Sequence, residues 1–158
     1  MNNVIVPKQI PLLCMAAMSA LLLAVAQPAS AAQKILVELH VKKADVVVPP
    51  HGSKYLDDFS EGGQFEILLK PASVPVSAPM CRKSIIARMP WTDSSDAGAD
   101  AVIASKKALF DKFEALKKGE IEVVDVTVDA TPYGKLVSES PRVVKLSYCN
   151  VFFLSPKP

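Results

Sequence analysis

Side chains that could take part in catalysis are few in this sequence and match no known catalytic arrangement. A serine or cysteine nucleophile needs a base to accept its proton, usually a histidine. The chain has only two histidines, His40 and His51, and it has no G-x-S-x-G motif. Nucleotide binding depends on glycine-rich loops, but neither G-x-G-x-x-G nor a phosphate loop with Lys-Ser or Lys-Thr occurs. We therefore expect a non-enzymatic protein without a bound cofactor.

Copper is the metal for which the sequence offers the most suitable ligands, although they are weak candidates. Thioether sulfur and imidazole nitrogen suit Cu(I), and the candidates are His40, His51, Met80 and Met89. Their spacing matches no compact copper motif. The alternative interpretation places His40 on the solvated face of a strand, His51 at the cap of a loop and Met89 in the core.

Acidic residues offer two further sites, each with a simpler explanation. Asp93, Asp96 and Asp100 could supply calcium oxygens, but a calcium loop uses alternate positions and a tight glycine, whereas these residues suit the start of a helix. Asp57 and Asp58 are the adjacent acid pair that a glycosidase could use. A chain with one tryptophan and three tyrosines has few sugar platforms, so we interpret this pair as solvated acids and the three aspartates named first as helix-capping residues.

Three aromatic residues in predicted loops are candidates for binding a partner: Tyr55, Trp91 and Tyr133. Trp91 and Tyr133 each follow a proline, in segments that read as turns. Aromatic residues at such positions either close the core at the end of a strand or anchor an interface. Both interpretations remain open for Trp91 and Tyr133.

Residues 1–31 have the pattern of an export signal peptide. Lys8 is the only charged residue before an uncharged run over residues 10–26, and Ala29-x-Ala31 then provides the small side chains of a cleavage site. We predict a cut after Ala31 or one residue later. An uncleaved anchor is an alternative, because 17 apolar residues are just enough to span a bilayer. Lipidation at Cys14 is a further alternative, but small residues do not precede it.

The predicted mature protein, residues 32–158, contains two cysteines, Cys81 and Cys149. In an oxidising compartment such as the periplasm or the medium, a lone pair usually forms a disulfide. A redox pair or two metal thiolates is the alternative, although there is no C-x-x-C motif. We predict a structural disulfide and a periplasmic or secreted location.

The hydrophobic pattern predicts strands separated by one long helix. Apolar residues alternate or cluster over residues 34–48, with a break at 43–45, and over 65–70, 83–89, 120–129, 135–137 and 142–154. Between Val123 and Val124 the alternation changes phase, which suggests a bulge. The prolines of residues 71–79 indicate an extended surface connection.

Residues 97–118 have the 3.6-residue periodicity of an amphipathic helix. Its apolar stripe contains Val102, Leu109, Phe113 and Leu116. Asp96 and Asp100 at its start complement the helix dipole, and Gly119 suits its end. The order of the predicted strands and this helix along the chain predicts an α+β fold, in which the helix packs on a mainly antiparallel sheet of five to six strands. A β-sandwich with one helix is the alternative.

The composition excludes several classes of function. Half of the 158 residues are hydrophobic, and 18 Lys and Arg against 16 Asp and Glu give a formal charge of +2. A disordered chain or a strongly basic nucleic-acid binder is therefore not expected. No second long apolar run follows the predicted signal peptide. We expect one exported domain that binds a protein partner through loops 51–63, 71–80 and 131–134. An enzyme inhibitor or immunity-type protein and a periplasmic copper carrier are the alternatives.

Overall fold

The computed structural model describes residues 33–49, 51, 54 and 57–155. These residues form seven strands and one α-helix: β1 (Leu36–Lys42), β2 (Phe65–Leu69), β3 (Ile85–Met89), α1 (Ala99–Lys118), β4 (Val123–Asp129), β5 (Gly134–Glu139), β6 (Arg142–Leu146) and β7 (Asn150–Phe153). The predicted signal peptide lies outside the described residues. In the part of the chain that is described, no helix is both long and apolar enough to cross a membrane.

Five strands form one curled, mixed sheet in the order β1-β4-β7-β3-β2. Neighbouring strands are antiparallel except β3 and β7, which are parallel. After β1 the chain makes the 3₁₀ turn Lys43–Asp45, at the predicted break, and Val46 then bridges Leu69 at the end of β2. This bridge brings the two edges of the sheet together, so the sheet curls around a core. The predicted α+β class with one helix is confirmed.

The predicted long strand over residues 142–154 is wrong, because the chain bends at residues 147–149. Strand β6 pairs with β5 in a separate two-stranded sheet, whereas β7 enters the large sheet between β3 and β4. The bend is held by Ser147, whose backbone N–H donates to the carbonyl of Tyr133 at 2.7 Å. The bulge expected at Val123 is also absent: β1 and β4 pair in continuous register, and the irregularity lies at Leu136 and Ser138 in the hairpin.

Helix α1 packs on the concave side of the large sheet through Leu109, Phe113 and Leu116, which are buried. It ends in a Schellman motif, in which the N–H groups of Gly119 and Glu120 donate to the carbonyls of Leu116 and Ala115. The acids before it do not cap it, because the N-cap is Gly98, which has a left-handed φ of 81°. The helix therefore begins two residues later than predicted.

The centre of the core is a group of aromatic rings between α1 and the sheet. Phe113 lies 5.4 Å from Phe153, which lies 5.6 Å from Phe65, measured between ring centroids. Phe110 and Phe59 extend the group toward the surface at 5.4 Å and 6.3 Å from Phe65. Such tilted and edge-on pairs are the arrangements that aromatic rings favour.

The predicted disulfide between Cys81 and Cys149 is present, with Cα atoms 5.4 Å apart and a sequence separation of 68. These cysteines precede the parallel strands β3 and β7. The disulfide therefore fixes the beginning of both strands at the same end of the sheet.

Candidate functional site

The candidate copper ligands are distributed over separate parts of the fold. Met89 is fully buried on β3, directly opposite Phe65, whereas His40 is exposed on β1, and β4 and β7 lie between these two strands. Met80 and His51 are exposed in loops. Among the described residues, no group of three or more His, Cys, Asp and Glu side chains is arranged to hold a metal ion.

His40 makes a specific contact on the exposed face of the sheet. Its Nδ1 lies 2.6 Å from Oδ1 of Asp125, the residue directly opposite it on β4. A cross-strand pair of this kind is typical of a solvated sheet face and contributes only modestly to stability. The interpretation of His40 as a residue on a solvated strand face therefore fits its position.

The acids singled out by the sequence are exposed and do not converge. Asp57 and Asp58 lie in the segment before β2. The Asp93 carboxylate accepts hydrogen bonds from the backbone N–H and the hydroxyl of Ser95, at 2.9 and 2.7 Å. These bonds hold the pKa of Asp93 below its usual value. Asp93 thus forms a turn in the loop between β3 and α1, where calcium binding or helix capping was considered.

The three candidate aromatic residues have different environments. Tyr55 lies outside the described residues. Tyr133 is half-buried, and its ring lies 5.2 Å from that of Tyr148 and 5.9 Å from that of Phe152. Trp91 has 56% of its surface exposed. Trp91 is therefore the candidate that is both large and open to a partner.

The backbone next to Trp91 is fixed to the loop before β2. Pro90 and Trp91 follow β3 directly, and the N–H of Thr92 donates to the carbonyl of Gly62 at 2.8 Å. Gly62 is buried beneath the indole. A Cβ atom at Gly62 would overlap Nε1, Cδ1 and Cε2 of the indole ring. Only glycine lets the ring approach the backbone so closely, so part of the indole is covered by Gly62 while 56% of Trp91 remains exposed.

A buried lysine holds both neighbours of Trp91. Lys106 is only 1% exposed, and its Nζ donates to the carbonyl of Pro90 at 2.6 Å and to the hydroxyl of Thr92. Burial lowers the pKa of this ammonium group, because the charged form loses its hydration. We call Gly62, Pro90, Trp91, Thr92 and Lys106 the Trp91 platform.

Sequence reasoning missed Lys106, although a signal for it exists. The buried stripe of α1 contains Leu109, Phe113 and Leu116, and the preceding position with the same spacing is occupied by Lys106. A lysine within an apolar stripe predicts either that this position of the helix is exposed or that a buried amine has hydrogen-bond acceptors nearby. The acceptors come from residues 90 and 92, which no helical periodicity could have indicated.

The surface around the platform is acidic. Glu61 lies beside Gly62, and Asp93, Asp96 and Asp100 follow Trp91 within nine residues; all four are exposed. No basic residue occurs between positions 89 and 105. A partner that covers Trp91 would therefore meet negative charge at the edge of the contact.

The arrangement of the platform is suited to contact rather than to bond chemistry. Its polar groups, the ammonium of Lys106 and the hydroxyl of Thr92, are already joined to each other, and its exposed part is an aromatic ring. No protein-family model matches the chain, and no curated protein or solved structure is significantly similar to it.

Proposed function

We propose that this chain is an exported, non-enzymatic binding module whose protein partner docks on the Trp91 platform. The observation that carries the proposal is Trp91, which is 56% exposed although its indole packs closely against Gly62. Tryptophan is the residue type that most often dominates the binding energy of protein interfaces. An exposed tryptophan on a fixed backbone is therefore a strong candidate for an anchor.

The support beneath Trp91 reduces the entropy that binding would otherwise cost. Ordering a flexible side chain at an interface costs about 0.5–1.5 kcal/mol of binding free energy. Lys106 already holds the residues on both sides of Trp91, and Thr92 is bonded to Gly62. The platform is thus organised before a partner arrives, and the exposed acids favour a partner with a basic rim around an apolar recess.

Export is proposed from the leader-like sequence of residues 1–31, with the disulfide as weaker support. A disulfide is expected to persist in an oxidising compartment. The test is the mass and the N-terminal residue of the protein purified from its native cells. Export requires a chain that begins near Ala32 and contains no free thiol. A chain that begins at Met1, or two free thiols, would overturn it.

Site-specific photocrosslinking in the native cell tests the binding proposal. A photoreactive phenylalanine analogue is introduced at position 91 and, as a matched control, at Lys112, an exposed residue of α1. We expect one defined protein adduct from position 91 and none from position 112. The purified adduct partner should bind the wild-type chain and lose at least tenfold in affinity toward Trp91→Ala, while far-ultraviolet circular dichroism of the variant is unchanged. Equal binding by both chains would refute the role of the platform.

A further inference from the structure

A second surface lies around the disulfide, at the opposite end of β3 from Trp91. Cys81 precedes β3 and Cys149 precedes β7, whereas Trp91 follows β3. We call residues 77–83, 131–135 and 145–149 the disulfide rim. This rim contains no residue of the Trp91 platform.

The first and last segments of the rim run side by side. Ser77 forms a parallel bridge with Lys145, and Cys81 is bonded to Cys149, so both links join residues 68 positions apart in sequence. Two backbone hydrogen bonds at Ser77 and the disulfide thus hold segments 77–83 and 145–149 together.

The rim exposes apolar and aromatic surface. Met80 is 57% exposed and Tyr148 is 61% exposed. The ring of Tyr133 contacts that of Tyr148 edge to face, with 5.2 Å between centroids. Methionine adapts its shape to a contact surface, and tyrosine is enriched in protein interfaces. These three side chains have the character of an interface core.

The segments that meet at the rim contain no acidic residue. Residues 71–92, 130–138 and 140–158 have neither aspartate nor glutamate, although the whole chain contains 16 acids. The disulfide rim contains four basic residues, and all of them are exposed: Arg82, Lys83, Lys135 and Lys145. None of them takes part in an ion pair within the described part of the chain.

Two of these cations face each other across the hairpin. Lys135 lies directly opposite Lys145 in the register of β5 and β6. Like charges at this position destabilise a sheet. Asp129, at the end of β4, accepts hydrogen bonds from the backbone N–H of Thr131 at 2.8 Å and from the Thr131 hydroxyl. The fold therefore concentrates unneutralised positive charge around Tyr133 and Tyr148, which the near-neutral total charge does not reveal.

We propose that the disulfide rim is a second docking surface and binds an acidic segment of a protein partner. Carboxylates of that segment would pair with Lys83, Lys135 and Lys145, and an apolar side chain would pack on Met80 and Tyr148. The inference is independent of the Trp91 platform, whose acidic surroundings select the opposite charge. The chain would then connect two partners, one at each end of β3.

Protein is favoured over a polyanion by the apolar content of the rim. Four cations around two tyrosines and a methionine supply a short charged contact with an apolar centre, which is the anatomy of a protein interface. Nucleic acids and sulfated polysaccharides are bound chiefly through many contacts to repeated charges. The edge-to-face contact between Tyr133 and Tyr148 also engages a ring that base stacking would need.

The test uses random 12-residue peptides displayed on phage and selected against the purified, disulfide-bonded protein. We expect selected peptides to be enriched in Asp and Glu with at least one large apolar residue. Their affinity is measured by fluorescence anisotropy. Lys83→Ser together with Lys145→Ser should weaken binding about two- to thirtyfold, because each exposed ion pair contributes about 0.2–1 kcal/mol. Tyr148→Ser should weaken it further.

The matched control is Lys42→Ser together with Lys112→Ser, which removes the same charge from exposed lysines on β1 and α1. Equal loss of binding in this control would overturn the proposal, because it would show an effect of total charge alone. Selected peptides without acidic enrichment would overturn it as well. Heparin, double-stranded DNA or anionic vesicles that bind at the rim more tightly than every selected peptide would assign the surface to a polyanion instead.

Discussion

Lys106→Met is the substitution that separates the stability of the fold from the organisation of the Trp91 platform. Methionine keeps the length and volume of the buried stem, but it removes the ammonium group that binds the carbonyl of Pro90 and the hydroxyl of Thr92. Pro90 is exposed and Thr92 is half-buried, so water can reach the acceptors that are released. The fold should survive, while the loop that carries Trp91 loses its attachment to α1.

The expected change in the free energy of unfolding is small because two terms oppose each other. Two hydrogen bonds from a charged donor contribute about 1.5–3 kcal/mol each, which gives about 3–6 kcal/mol. Taking the ammonium group of Lys106 out of water costs several kcal/mol, and the lowered pKa of Lys106 reflects this cost. Lys106→Met should therefore change the free energy of unfolding by no more than about 2 kcal/mol. Lys106→Ala also removes the buried stem and should cost about 2–5 kcal/mol.

Two measurements distinguish global from local effects. Urea unfolding followed by circular dichroism gives the stability. Acrylamide quenching reports on Trp91 alone, because the chain contains one tryptophan. We expect Lys106→Met to shift the urea midpoint less than Lys106→Ala does and to increase the quenching constant. Partner binding at the platform should weaken in parallel.

The pH dependence provides a second check on Lys106. Its lowered pKa means that the folded protein binds fewer protons than the unfolded chain between that lowered value and the ordinary value of about 10.4. The stability of the wild type relative to Lys106→Met should therefore rise with pH across this interval, because the cost of the buried charge disappears. A difference that is independent of pH, or unchanged quenching of Trp91, would refute the reasoning.

Three further variants test the fold around these surfaces. Gly62→Ala should displace the indole of Trp91, because its Cβ would overlap the ring; a shifted emission maximum would show this, and an unchanged spectrum would contradict it. Replacing Cys81 and Cys149 by alanine should lower the free energy of unfolding by about 4 kcal/mol, as expected when a loop of this length is opened; the urea midpoint under oxidising conditions measures it. Phe113→Ala should cost about 3–5 kcal/mol, because this ring is fully buried; a loss below 1 kcal/mol would be incompatible with its packing.

Much of the secondary structure could be predicted from the sequence, because it depends on local periodicity. The alternation of Val37, Leu39 and Val41 defines β1, and the end of α1 at Gly119 follows from the Schellman motif. The periodicity predicts a start of α1 at residue 97, but the helix begins at Ala99, because Gly98 before it has a left-handed backbone. Residues 142–154 were read as one strand because an apolar run does not reveal a bend that is held by distant groups.

The candidate site was accessible to sequence reasoning only in part. Trp91 stood out by its type and by the proline before it, but its support did not. Lys106 and Gly62 lie 15 and 29 positions away from it in sequence, and their effect depends on contacts made after the chain has folded. The same limit applies to Met80 and Tyr148, which the disulfide brings into one surface.

The sequence by itself determined the leader-like segment, the pairing of two lone cysteines and the α+β class, because each depends on composition, number or local pattern. Tertiary structure alone decided that β3 and β7 are parallel neighbours. This strand order places the basic residues of the disulfide rim at one end of β3 and the acids that flank Trp91 at the other end. Total charge sums over the chain and cancels, whereas the strand order separates the charges in space. The two proposed docking surfaces arise from this separation.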